Sequence, residues 1–146
     1  MSVSKFFSEE EKQQITDAIK SAELNTSGEI RLHVEGKCKG DVLDNAAYWF
    51  EKLEMHKTEQ RNGVLIYLAV DDHKFAILGD AGIDAKVPEN FWDEIKGFML
   101  AKFRNGQFAD GLSEAILRAG EQLKLHFPYQ TDDVNELSDE ISFGKN

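Results

Sequence analysis

Residues 61–82 read RNGVLIYLAVDDHKFAILGDAG, and this stretch decides the fold. Val64 to Val70 is an unbroken run of β-branched, aliphatic and aromatic residues, the pattern of a strand covered on both faces. Asp71-Asp72-His73 ends the run with residues that accept tight turns and bond locally to the backbone. A second apolar run, Phe75 to Leu78, follows before Gly79, so the spacing predicts an antiparallel hairpin. Its polar residues gather at the two tips, Arg61-Asn62-Gly63 with Gly79-Asp80-Ala81-Gly82 at one and the Asp71 turn at the other.

Upstream, Ser8 before Glu9, Glu10 and Glu11 has the form of a capping box, and Ile15, Ala18, Ile19 and Ala22 make the apolar stripe of a helix to about Glu23. Asn25 to Gly28 breaks that helix. Glu29 to Glu35 then alternates charged and apolar residues, which predicts a strand whose Glu29, Arg31, His33 and Glu35 face lies in water. After the loop Gly36-Lys37-Cys38-Lys39-Gly40, Asp41 caps a helix to about His56 with Val42, Ala46, Trp49, Phe50 and Leu53 on one side. Strand, helix, strand implies parallel neighbours joined by a right-handed crossover.

Downstream of the hairpin, the Gly79 to Pro88 segment reads as a loop, and a helix runs from about Glu89 to Arg104. Asp110-Gly111 opens a last helix that Pro128 terminates. Trp49, Phe50, Phe91, Trp92, Phe98, Leu112 and Ile116 fall at helical spacing and are expected in the core rather than in a ligand box. The fold class is α/β, an αβα sandwich around a small mixed sheet. One domain spans residues 5–128, and residues 129–146 form an acidic tail expected to be mobile or weakly docked.

The 146 residues suffice for one domain with a full core. Lys and Arg total 17 against 27 Asp and Glu, a formal charge of -10, which argues against a nucleic-acid partner and makes cations the natural counter-species. There is neither an apolar signal segment nor a run of about 18 apolar residues, so no membrane insertion and a cytoplasmic location are expected. Cys38 is the single cysteine, which leaves no internal disulfide and no multi-cysteine metal site. The Gly36 loop lacks the spacing of a phosphate-binding loop, and His33, His56, His73 and His126 are scattered one per element. A monomer is expected, with a protein partner admitted.

Two acidic clusters remain. The C-terminal ends of the parallel strands carry Asp71 and Asp72 together with Asp41 and Asp110, each of the latter read as a helix cap, at the edge where open α/β sheets bind ligands. The opposite end gathers Glu29, Arg61, Asp80 and Asp84 on glycine-rich loops. Convergent carboxylates suit a hard divalent cation, calcium or magnesium. Arg61 would pair with a carboxylate of the second cleft or turn it into a phosphate receptor, so the first cluster is the preferred metal site.

Thr26-Ser27-Gly28-Glu29-Ile30, Asn62-Gly63-Val64-Leu65-Ile66 with Asp71-Asp72, Gly79-Asp80 with Gly82-Ile83, and Phe108-Ala109-Asp110-Gly111-Leu112 occur in an order that resembles the signature blocks of the TPM domain. The resemblance covers about residues 5–128 and implies an αβα sandwich. A plant member is a thylakoid-lumen acid phosphatase tied to photosystem II repair, so the resemblance adds phosphatase-like hydrolysis to the divalent-metal binding expected from the acidic clusters. Gly79-Asp80-Ala81-Gly82 stands where many members have a Gly-aromatic-Gly pattern, which places the chain with a short branch. The alternative expectation is a non-catalytic, calcium-dependent protein-interaction module.

Overall fold

A computed structural model describes residues 3–128 and 140–144. Four strands, β1 (Glu29–Glu35), β2 (Gly63–Ala69), β3 (Lys74–Gly79) and β4 (Ser142–Phe143), form one mixed sheet in the order β3-β2-β1-β4. β1 and β2 are parallel in the register Glu29 to Gly63 through Glu35 to Ala69, and β2 and β3 form the antiparallel hairpin expected across the Asp71 turn. β4 runs parallel to β1 at the opposite edge, so the end of the tail is docked; residues 129–139 lie outside the described residues.

The helices are α1 (Glu9–Glu23), α2 (Val42–Lys52), the single turn α3 (Ala81–Asp84), α4 (Phe91–Arg104) and α5 (Phe108–His126). Ser8 and Glu11 close the capping box of α1 in both directions, as the sequence requires. α1, α4 and α5 cover one face of the sheet, where Ile30, Leu32, Val34, Val64, Ile66 and Leu68 meet Ile15, Ile19, Met99, Leu112 and Ile116. α2 covers the other face, packing Ala46 and Trp49 against Tyr67, Ala69 and Ala76. β2 is therefore buried along its whole length, the state its unbroken apolar run predicts.

Three expectations need correction. Glu29 is 2% exposed and His33 is fully buried, so the charged face of β1 does not lie in water; α2 roofs it. The segment after Gly79 is not a plain loop, because Asp80 accepts from the Ala81 N–H and starts α3. Asp110 does not cap α5. That helix begins two residues earlier, and Asp110 sits in its first turn, where a carboxylate complements the helix dipole without holding the cap position. Leu112 and Ile116 are fully buried, whereas Trp49, Phe91 and Trp92 are half-buried against the two layers, and Phe50 and Phe98 are half-buried as well.

Glycine is required at one close approach. A Cβ on Gly82 would lie 2.2 Å from the carbonyl oxygen of Gln60 and 2.6 Å from that of Arg61, both main-chain atoms that cannot yield. On Gly97 of α4 a Cβ would meet nothing within 4 Å. Gly82→Ala is expected to cost roughly 1–3 kcal/mol of stability through overpacking. Gly97→Ala is expected to gain about 0.5–1 kcal/mol of helix propensity. Urea unfolding of the two variants beside the parent checks both signs.

Candidate functional site

At the C-terminal edge of β1 and β2 the main chain continues the parallel ladder, with Val70 and Asp71 N–H groups donating to the carbonyls of Glu35 and Gly36. Asp72 Oδ2 accepts from the Cys38 N–H at 2.7 Å, and Lys74 Nζ donates to the Gly40 carbonyl at 3.3 Å. These bonds clamp the β2–β3 turn onto the β1–α2 loop, so Asp71, Asp72 and Asp41 share one edge. Asp41 caps α2 as expected, its Oδ1 accepting from the N–H groups of Leu43 and Asp44 at 2.8 and 3.2 Å. Asp110 is drawn to the other layer, where its Oδ1 accepts from Gln14 Nε2 at 2.8 Å. Asp71 is exposed, and its carboxylate takes no bond among the described residues. Among the described residues no three His, Cys, Asp or Glu side chains stand in an array that could hold a metal ion. The four aspartates therefore do not form a ready-made cage, and a divalent cation held there would need its remaining oxygens from water and main chain.

The opposite end is closed by its own charges. Arg61 Nε and one terminal nitrogen donate to the two oxygens of Asp80 at 2.7 and 2.8 Å, a bidentate fork. The hydrogen bond to Asp80, and then its charge, raise the Arg61 pKa above its ordinary value. Asp80 also caps α3, and Asp84 Oδ1 accepts from the Trp92 indole N–H at 3.0 Å. Glu29 lies buried beside Asn62 at the start of the strands. With both oxygens of Asp80 and the Arg61 fork engaged, this cleft offers neither a free carboxylate pair nor a free guanidinium.

A third group was not foreseen. Under α2, His33 stacks on Trp49 with ring centroids 3.9 Å apart, and its Nδ1 lies 2.8 Å from Ser142 Oγ of β4. His33 Nε2 is 3.3 Å from Glu35 Oε1, off the line of a good hydrogen bond. Tyr67 OH donates to Glu35 Oε2 at 2.6 Å and also meets Cys38. Burial, then the Glu35 charge and hydrogen bond, push the Tyr67 phenol well above its usual range. Burial lowers the His33 pKa, with Glu35 opposing, so the imidazole is neutral at pH 7. Above this network Glu35, Lys37, Lys39, Tyr48, Trp49 and Lys52 line a wide groove. The signal that could have revealed it lay in β2: a strand buried on both faces needs its parallel neighbour covered on both faces too.

A family model described as the TPM domain matches residues 2–122. The solution structure of BA42 protein from the psychrophilic bacterium Bizionia argentinensis is similar at 45% identity and a TM-score of 0.88, covering 95% of this chain and 96% of that one. The N-terminal domain of the cg2496 protein of Corynebacterium glutamicum shares the fold at 11% identity and a TM-score of 0.67, over 90% of this chain and 82% of that one. An N-terminal domain from P. gingivalis does so at 18% identity and the same TM-score, over 85% and 82%. No curated protein matches the chain.

The lowered His33 pKa fixes a pH dependence. The unfolded chain holds the imidazole proton at higher pH than the folded chain, so stability is full above the unfolded value of about 6.5 and falls as pH drops below it. His33→Gln is expected to flatten that acid limb, and chemical denaturation from pH 7.5 to 5 measures it; an unchanged limb would remove His33 from the account.

Proposed function

Because the chain belongs to the TPM domain family, we propose that it is a divalent-cation-binding domain whose ion, calcium or magnesium, is taken at the C-terminal strand edge by Asp71 and Asp72. The observation that carries this reading is the contrast between the two ends. Asp80 and Asp84 are committed to Arg61, a helix start and Trp92, whereas Asp71 is uncommitted and Asp72 keeps one oxygen. Asp41 shares the edge with its second oxygen open, and the cap it makes reduces its value as a ligand. Asp110, bonded to Gln14 within the α1–α5 layer, is the weakest member of the set. A net charge of -10 raises the local concentration of cations around such an edge.

Binding precedes catalysis in this reading. Among the described residues none of these aspartates is bonded to a histidine or another general base. A phosphatase-like step would rest on the cation polarising a phosphoryl oxygen, and a calcium-dependent contact with a partner protein would need only the bound ion. Turnover of a phosphate monoester that EDTA abolishes decides for the first.

The thermal melt is expected to rise with calcium and not with EDTA, by about 2.7 kcal/mol of apparent stability at 100 times the dissociation constant. Asp71→Asn with Asp72→Asn is expected to lose the rise, and Asp84→Asn to keep it. No rise with any divalent ion would end the proposal.

A further inference from the structure

On the face opposite the lysine groove, a separate pocket of about 160 Å³ opens between the end of the hairpin and the α4–α5 corner. Leu68, Val70, Phe75, Leu100, Phe103 and Phe108 make its apolar wall, and Ala69 also lines it. The wall is fixed by its own rings. Phe103 stands edge-on to Phe75 at 5.2 Å and stacks on Phe108 at 5.0 Å, while Phe108 is held in turn by Phe6 at 5.2 Å. An apolar cavity of about 150 Å³ is enough to stay dry and take up a benzene ring. Leu100 at the lip is 41% exposed, an apolar side chain left uncovered beside an apolar hollow.

Two polar side chains line the pocket, and both are basic: His73, held at a φ of 53° in the turn, and Arg104, the last residue of α4. No acid lines it. Among the described residues Arg104 makes no ion pair and no side-chain hydrogen bond, although Asp and Glu outnumber Lys and Arg 27 to 17 in this chain. A guanidinium presents a rigid fork that matches a carboxylate in two hydrogen bonds, and beside apolar walls that pairing is less screened than in open water.

We propose that this pocket binds a small monocarboxylate with an aromatic or short branched apolar body, the body among Leu68, Phe75, Phe103 and Phe108 and the carboxylate on Arg104. The volume limits the body to about one ring. The single free fork selects one carboxylate, and the absence of a lining acid leaves no partner for an amine. The pocket sits at the same strand edge as Asp71 and Asp72 but shares no residue with that pair, and it needs no cation.

The test is a titration of benzoate into ¹⁵N-labelled protein in EDTA, with acetate, benzyl alcohol and benzylamine as the other arms. Saturable amide shifts centred on residues 68–70, 73–75, 100–104 and 108 are expected with benzoate, with acetate and benzyl alcohol each binding at least tenfold more weakly. Arg104→Gln is expected to weaken benzoate tenfold or more, and Leu100→Trp, which adds bulk at an exposed lip, to block it. Retained spectral dispersion confirms that each variant folds, and Arg104→Lys, which keeps the charge and loses the fork, is expected to weaken benzoate by less than Arg104→Gln. Equal binding of benzoate and acetate, equal binding of benzoate and benzyl alcohol, benzoate binding that survives Arg104→Gln, or no saturable shift would each overturn the proposal.

Discussion

The structure depends on the burial of β2 on both faces. Every residue from Gly63 to Ala69 is out of water, so each neighbour of that strand must bring cover. On one side the cover is aliphatic and comes from α1, α4 and α5; at about 25 cal/mol per Å² of apolar surface this layer supplies the main drive to fold. On the other side α2 is the only long helix among the described residues, and the strand beside β2 carries Glu29, Arg31, His33 and Glu35 there. Burying such groups costs several kcal/mol each unless they find partners. His33 finds Ser142, and Glu35 finds Tyr67, so the short strand β4 completes the second layer as well as the sheet.

The same strand pair sets up two unlike ends. Where the strands begin, Arg61, Asp80, α3 and Trp92 consume one another's hydrogen-bonding capacity and leave a neutralised, packed corner. Where they end, the hairpin turn is tied to the β1–α2 loop through Asp72 and Lys74, which leaves Asp71 facing solvent on a braced turn. A carboxylate that is held in place but not bonded can meet a cation at small entropic cost. The contrast between the two ends is thus a product of which carboxylates the fold has already used.

Most of the architecture was legible in the sequence, because it is written in periodicity and punctuation. The apolar run at Val64 to Val70, the tight turn after it and the capping box at Ser8 each have one good local solution, and the chain adopts all three. What escaped is what depends on contacts far apart in sequence. His33 alternates like a solvated residue and is dry only because Trp49 and Ser142 arrive from elsewhere. Asp110 has the composition of a cap yet sits in the first turn of its helix, past the cap position, and bonds to Gln14, 96 residues away. The residues of the acidic edge were legible, but their spending on caps and clamps was not.

The central claim is that the strand C-terminal edge, and not the Arg61–Asp80 corner, receives the cation. A calcium titration followed by amide NMR tests it most directly. Saturable shifts concentrated on residues 71–73 and on the facing loop 36–41 are the predicted result. Shifts confined to residues 79–85, with residues 71–73 silent, would contradict it.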